Sequence, residues 1–314
     1  MKRYGNLFEK IVNINNIRLA HKNARKGKTD YTEVKMVDID IDKYCYEIQR
    51  LLTTKEFTTA EYEMFVKKDK GKLREIYKLP YFPDRIVQHA IMQIVEPIWK
   101  GSLIADTYQS IKGRGVHKVL PKVVKAIQID KVKYCLKMDV KKFYPSIDKG
   151  IMKSIIRKKI KCKDTLWLLD DIVDSNCNGL PIGNYISQYL GNLYLSEIDH
   201  KLKEVLKVKY YYRYCDDIIV LCNSKEELHN IRKFVEKELN KLLLTLKRDY
   251  NVHPVYTGVD VLGYIVTSSK VSVRKNIKSR MIANYSDNSA ASYNGWLTHC
   301  NGYILKLKLE KDNR

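Results

Sequence analysis

The sequence predicts an α+β protein. Residues 1–60 keep a helical period, several later segments alternate with the period of two expected of half-buried strands, and the two kinds of segment interleave along the chain. Within the first region, "DIDKYCYEIQRLLTTKEF" places Tyr44, Ile48, Leu51 and Leu52 at helical spacing. Residues 61–79, "EYEMFVKKDKGKLREIYKL", read as two strands around the turn "KKDKGK". "DRIVQHAIMQIVEPIW" is a strongly apolar helix, for which Asp84, after Pro83, is the expected N-cap. "YCLKMDVKKFYPSID" begins as a strand, with Tyr134, Leu136 and Met138 on one face and Cys135, Lys137 and Asp139 on the other. "NGLPIGNYISQYLGNLYLSEIDHKL" is a Gly-Pro loop running into a helix. "NSKEELHNIRKFVEKELNKLL" is an amphipathic helix with Ser224 and Glu227 as a capping box and Leu228, Ile231, Val235 and Leu239 as its buried stripe.

Composition narrows the function. The chain has 314 residues and 45% hydrophobic content, which suits a globular protein of one large domain or two to three lobes. Lys and Arg number 58 against 36 acids, a net charge of +22 that points to a polyanion such as nucleic acid. No stretch approaches the ~20 apolar residues of a membrane span, and the N-terminal segment lacks the apolar core of a signal peptide. The seven cysteines are scattered without a C-x-x-C pair, which fits reduced cytoplasmic thiols better than a zinc site or a disulfide framework. No internal repeat, low-complexity tract or Pro- or Gly-rich linker interrupts the chain.

The segment "YYYRYCDDIIVL" carries the sharpest signal. Asp216 and Asp217 lie side by side in a run that otherwise reads as a buried strand. A buried, unpaired carboxylate is costly or becomes neutral, so the pair sits at a bend that reaches water or beside a strong positive charge. If this strand neighbours the one ending at Asp139, three carboxylates converge at one end of a sheet. Oxygen donors of that kind suit Mg²⁺, and two such ions could activate a hydroxyl and stabilise a leaving pyrophosphate. Alone, an Asp-Asp pair is more often a surface turn; its flanking β-formers and the upstream Asp139 set this one apart.

These residues resemble the reverse transcriptases. The resemblance covers residues 25–305 as an ordered series: "KGKLREIYKLPYFPDRIVQHAI" is similar to the finger hairpin and following helix of group II intron-like members, "LKMDVKKFYPSID" to the first catalytic-aspartate motif, "GLPIGNYISQYLGNLYL" to the loop and helix under the templating base, "YCDD" to the tyrosine-x-Asp-Asp motif, and "GVDVLGYIV" to the primer-gripping hairpin. It implies a right-hand polymerase: fingers with part of the palm over residues 1–135, the palm over 132–265 and a short helical thumb over 266–314.

The resemblance also implies roles. Asp139 and Asp216 would be the main metal ligands, Asp217 would complete the acidic set, and the Val140 carbonyl would help hold the triphosphate-bound ion. The ions would be two Mg²⁺, with Mn²⁺ as an alternative. Tyr144, five residues after Asp139, would select dNTPs by clashing with a ribose 2′-OH; the plainer alternative is packing beside Phe143. Lys72 and Arg74 would grip the triphosphate, or form a solvated hairpin. Leu262, Gly263 and Tyr264 would place the primer end, or form a buried strand bent at Gly263. Cys215 reads as small-residue packing. Lys247 and His253 both stand where a proton donor to pyrophosphate is expected, and neither is chosen.

Ile182 and Gly183 lie in "LPIG", where many reverse transcriptases have Gln before the glycine, and the motif ends in Ser187-Gln188 where others have Ser-Pro. This form resembles reverse transcriptases of diversity-generating retroelements, whose cDNA copying is error-prone opposite template adenines. An aliphatic in place of an amide removes hydrogen bonds near the incoming nucleotide and could loosen selection. The tail "ASYNGWLTHCNGYILK" resembles the thumb end of that group, with Tyr293, Trp296 and His299 on one face, where core packing is the alternative. A template RNA, a cDNA or primer, dNTPs and a small basic accessory protein are the implied partners. With little chain after the thumb-like segment, nuclease functions would come from other proteins. The expected setting is a bacterial or phage-encoded cytoplasmic enzyme. Two other readings stay open: an antiphage-defence or retron-type reverse transcriptase copying its own noncoding RNA, and a non-catalytic, maturase-like RNA-binding protein.

Overall fold

The N-terminal helical pattern builds four helices: α1 (Phe8–Ile11), α2 (Ile14–Ala24), α3 (Thr32–Ile39) and α4 (Ile41–Thr53). Two start at side-chain caps, where Asn13 accepts from the Asn15 N–H and Asp40 from the Lys43 N–H. The computed structural model describes residues 2–69 and 72–311. The hairpin follows as β1 (Glu63–Asp69) and β2 (Lys72–Lys78), paired antiparallel with Lys67 opposite Arg74. The remaining elements, in order, are α5 (Ile86–Lys100), β3 (Thr107–Tyr108), α6 (Val116–Val124), β4 (Tyr134–Asp139), α7 (Lys149–Arg157), α8 (Lys163–Asp174), α9 (Tyr185–Tyr194), α10 (Ser196–His200), β5 (Tyr210–Tyr214), β6 (Asp217–Cys222), α11 (Lys225–Lys241), β7 (Asn251–Pro254), β8 (Val259–Val261), β9 (Tyr264–Val266), β10 (Val271–Val273), α12 (Lys275–Ala283), α13 (Asp287–Leu297) and α14 (Tyr303–Lys311).

Asp84 departs from expectation. It follows a kink at Phe82, whose backbone is extended (φ −111°, ψ 131°), and enters the helical run into α5, but its carboxylate does not cap that helix. Its Oδ1 accepts the Ala60 N–H at 3.0 Å, and burial pushes its pKa up to about 6. Pro83, at the same turn, follows a cis peptide bond.

The chain forms two units. The first comprises Met1–Ile104, Lys141–Asp199 and Leu239–Thr245. In it α2 packs on α4 and α5, and α9 packs on α5 and α7, burying Ile17, Ile48, Leu52, Ile91, Trp99 and Leu190. Helix α7 begins at Asp148, which caps the Ile151 N–H at 2.8 Å. Tyr194 donates to the Leu242 carbonyl at 2.8 Å and accepts from the Asp148 N–H at 3.1 Å, tying three segments together.

The second unit comprises Ala105–Val140, His200–Glu238 and Leu246–Arg314. Its five-stranded sheet has the order β3-β5-β6-β4-β7; β3 runs parallel to β5 and the other pairs are antiparallel. Strand β4 is covered on both faces, since Cys135, Leu136 and Met138 are all buried. A three-stranded meander, β8-β9-β10, shares one apolar cluster with α6 and the C-terminal helices; Val123, Ile219, Val259, Tyr264, Met281 and Leu297 belong to it. In α11 the expected stripe Leu228, Ile231, Val235 and Leu239 is buried, and Ser224 Oγ accepts the Glu227 N–H at 3.2 Å. Among the described residues no helix is long and apolar enough to cross a membrane.

Candidate active site

Strands β4 and β6 are neighbours, and their register puts Asp139 directly opposite Asp217. Strands β5 and β6 form a hairpin in which Tyr214 faces Asp217, leaving Cys215 and Asp216 as a two-residue turn. Cys215 adopts a left-handed φ of 57°, as tight hairpin turns require, and is nearly buried. The buried Arg213 donates through Nη1 to the Cys215 carbonyl at 2.9 Å, fixing that turn from below. Thus the two acids interrupt a strand pattern because they occupy and follow the tip of a hairpin.

Burial and like charge both act on the acids. Asp216 has its pKa raised by desolvation and then by Asp139. Asp217 is raised chiefly by desolvation, with Asp139 and Asp260 adding to the rise and Lys137 and Lys247 opposing it. Asp139 Oδ1 is buried with no hydrogen-bond partner, while Oδ2 takes Lys247 Nζ at 2.5 Å. The Lys247 N–H also donates to the Asp139 carbonyl at 2.9 Å, and Leu246 bridges Val140, so the segment carrying Lys247 is laid along the end of β4.

Among the described residues no three acid, His or Cys side chains are already drawn into one metal-binding cluster. The donors nonetheless fit a hard divalent cation. They are carboxylate oxygens, one of them an unpaired buried atom, and burial together with their mutual repulsion raises two pKa values that a cation would lower. Lys247 at present supplies positive charge at Asp139. Asp139, Asp216 and Asp217, with the Val140 backbone next to Asp139, are the groups that could hold such an ion.

The turn between β8 and β9 lies beside these acids. Asp217, Lys137 and Arg213 line a narrow cleft together with Val261 and Leu262. Leu262 and Gly263 both have positive φ, 54° and 111°, as a two-residue hairpin loop demands. Asp260 Oδ1 accepts from the Gly263 N–H at 3.2 Å and from Arg274 Nη2 at 2.5 Å, and the Arg274 N–H donates to the Gly263 carbonyl at 2.8 Å. Tyr264 is fully buried, its hydroxyl held by the Trp296 carbonyl at 3.1 Å and His117 Nε2 at 3.2 Å. Its side chain therefore supports the turn from inside; Gly263 is itself buried, with Ile277 and Trp296 packed over it, and Leu262 is half-buried. Trp296 sits on Tyr264 with ring centroids 4.9 Å apart, and His299 stacks on His117 at 3.8 Å.

In the first unit, Tyr144 opens a short 3-10 turn and its ring lies 5.2 Å from that of Phe143. Both rings rest on Gly191 of α9, where a Cβ would stand 3.1 Å from Phe143 and 3.2 Å from Tyr144. The Tyr144 carbonyl accepts the Leu180 N–H at 2.9 Å, so the Gly-Pro loop is strapped across it. Farther along, the Ile182 carbonyl accepts the Tyr77 N–H at 2.8 Å, joining that loop to β2. Gly183 has φ 128° and faces the Tyr77 carbonyl. Arg74 lies exposed on β2, and Lys72 contributes backbone pairing opposite Asp69; the Lys72 side chain and residues 70–71 of the turn lie outside the described part.

Sequence reasoning did not single out Arg213, Asp260, Arg274 or Gly191. Lys137 could have been read as a site residue, because it shares a strand face with Asp139 two positions away. Asp260 and Arg274 carry no local signal, since their pairing depends on a hairpin and a helix start fourteen residues apart.

A family model described as "Reverse transcriptase (RNA-dependent DNA polymerase)" matches residues 66–266. Retron Ec73 reverse transcriptase of Escherichia coli is 30% identical over 173 residues, 51% of this chain and 52% of that protein. Group II intron-encoded protein LtrA of Lactococcus lactis is 25% identical over 189 residues, 57% of this chain and 31% of that protein. The chain thus spans about half or less of the length of these curated relatives. Apo telomerase from Candida tropicalis superimposes with a TM-score of 0.54 at 14% identity, covering 77% of this chain and 52% of that one. At that identity the likeness shows the fold, the α+β architecture expected of a right-hand polymerase.

Proposed function

From the premise that this chain belongs to the reverse transcriptase family, we propose that it copies RNA into DNA by metal-assisted nucleotidyl transfer. The observation that carries this reading is the cross-strand pair Asp139 and Asp217 with Asp216 at the adjoining hairpin tip. In the proposal these acids and the Val140 carbonyl hold Mg²⁺, with two ions used and Mn²⁺ able to replace them. Bound there, the metal would lower the pKa of the primer 3′-hydroxyl and offset charge on the leaving pyrophosphate. Lys247, already at Asp139, is the residue best placed to donate a proton to that pyrophosphate. Arg74 and Lys72 would contact the triphosphate, and the Leu262–Gly263 turn, braced by Tyr264, would place the primer end. Fingers, palm and thumb would follow the boundaries 1–135, 132–265 and 266–314.

Tyr144 would serve as the sugar gate. The observation behind this role is the bed of Gly191 and Phe143 that holds its ring. Tyr144→Ala should raise incorporation of rNTPs relative to dNTPs by about tenfold to a hundredfold, a size typical of steric discrimination. Competition assays with paired nucleotides measure the ratio; an unchanged ratio assigns Tyr144 to packing alone.

The finer reading is error-prone copying in a diversity-generating retroelement, supported by Ile182 in place of an amide before Gly183. Template RNA, primer or cDNA, dNTPs and a small basic accessory protein are the proposed partners, in a bacterial or phage-encoded cytoplasmic setting. The similarity to a retron enzyme supports the second reading, copying of a dedicated noncoding RNA. Primer extension on an RNA template holding all four bases, with Mg²⁺ and dNTPs, tests both. DNA product is expected; errors clustered at template adenines favour the first reading and an even spectrum the second. Absence of extension, with the native RNA and accessory protein supplied, overturns both.

A further inference from the structure

An open cavity of about 460 Å³ lies in the second unit at the start of β4. Its lining includes Lys131, Lys133, Lys225, Tyr134, Tyr256 and Ser268. Tyr134 opens the strand that Asp139 closes, five residues later, which at about 3.4 Å per residue is roughly 17 Å away. The cavity therefore belongs to the opposite end of the sheet from the acids.

Its charge is uncompensated. Among the described residues none of these three lysines pairs with a carboxylate; Lys225 Nζ instead lies 5.2 Å from the centroid of the Tyr134 ring. Asp130, next to Lys131, takes the Tyr210 hydroxyl at 2.8 Å. Glu226 and Glu227, next to Lys225, line a separate groove with Leu206 and Phe234.

The aromatic wall is held in place before any ligand arrives. Tyr256 is 72% exposed and sits in a short 3-10 turn, Val255–Thr257. Its neighbour Val255 is buried, and the Val255 N–H donates to the Lys133 carbonyl at 2.9 Å. Gly258 ends the turn at φ 98°, where a Cβ would stand 2.7 Å from Ile265. An exposed ring on a fixed turn beside unpaired ammonium groups loses little entropy on stacking. A flat ring accepts any base, and lysines accept phosphates without a fixed geometry.

We propose that this cavity is a second nucleic-acid site, in which one or two nucleotides of single-stranded RNA stack on Tyr256 while Lys131, Lys133 and Lys225 take their phosphates. A single strand is required because a base must be unstacked to meet the ring. The Ser268 hydroxyl at the rim offers a partner for a ribose 2′-OH, which distinguishes RNA from DNA.

The test uses a 5-iodouridine RNA hexamer, photo-crosslinked to the full chain and mapped by peptide sequencing, with hexamer affinity measured in parallel. A crosslink at Tyr256 is expected. Tyr256→Ala should weaken hexamer binding about tenfold. Replacing all three lysines by Gln should lower the slope of log affinity against log salt by about 0.7 to 1.4, at roughly 0.7 for each of one or two phosphates on a single strand. Extension of a short template-primer should be unchanged in either variant. A crosslink pattern that avoids 131–134, 225 and 254–256, or hexamer affinity within twofold of wild type in Tyr256→Ala, overturns the site. Equal affinity for a DNA hexamer overturns its assignment to RNA. Crosslinking at Tyr256 without any primer extension would leave this site standing while the polymerase reading fell.

Discussion

Asp216→Asn should abolish primer extension and at the same time stabilise the metal-free protein. The loss is expected to reach at least about a thousandfold. A metal that polarises the reacting oxygens supplies several kcal/mol, and each 1.36 kcal/mol is about tenfold in rate. The gain in stability follows from the same position. Burial and Asp139 raise the Asp216 pKa in the folded chain, so the folded state holds that proton more tightly than the unfolded one. That contribution is fully present below the unfolded Asp value of about 3.9 and is lost as pH rises through the folded value. Near neutral pH the ionised carboxylate therefore opposes folding, and Asn removes the opposition while keeping the shape. Thermal unfolding without divalent ions should show Asn above wild type near neutral pH, with the difference closing as pH falls below about 4. Adding Mg²⁺ should raise wild type more than the variant. A variant that retains extension, or that unfolds earlier than wild type without metal, would show that Asp216 is a structural carboxylate.

Gly183→Ala should strongly destabilise the first unit. A φ of 128° is a region that L side chains rarely adopt, and the added Cβ would stand 2.4 Å from the Tyr77 carbonyl oxygen. That atom belongs to backbone paired within β2, so it cannot swing away as a side chain would. Backbone strain of about 1–3 kcal/mol and an overpacking cost of similar size together predict a loss of roughly 2–5 kcal/mol. Gly27→Ala is the matching control. Its φ is also positive, 68°, but nothing lies within 4 Å of the new Cβ, so only the ~1–2 kcal/mol left-handed penalty remains. Urea unfolding of both variants measures the difference. Equal losses would mean that the loop relaxes away from β2 without cost, and that the Ile182–Tyr77 connection does not hold the loop.

Much of the candidate site was legible before any coordinates, and the reasons are local. Asp216 and Asp217 stood out because two charges break a run of β-formers, and Asp139 because it ends an alternating strand. The stripe of α11 and the hairpin at residues 63–78 follow from periodicity alone. Asp84 misled because a polar residue ahead of an apolar run looks like a cap; in the fold its carboxylate turns inward to the Ala60 N–H, a partner twenty-four residues away. Trp296 and Tyr264 were legible as a motif but not as a stack, since one lies on a helix and the other on a strand.

The sequence by itself determined the element types, the acidic triad, the basic character and the family. It could do so because period, turn chemistry and motif order are properties of neighbouring residues. Only the tertiary structure decided the cross-strand pairing of Asp139 with Asp217, the clasp of Asp260 by Arg274, the hold of Lys247 on Asp139, and the cavity that collects three lysines around Tyr134 and Tyr256. Each of these joins residues far apart in the chain. Their interaction energies depend on distances that strand register and packing fix, and no local pattern encodes those distances.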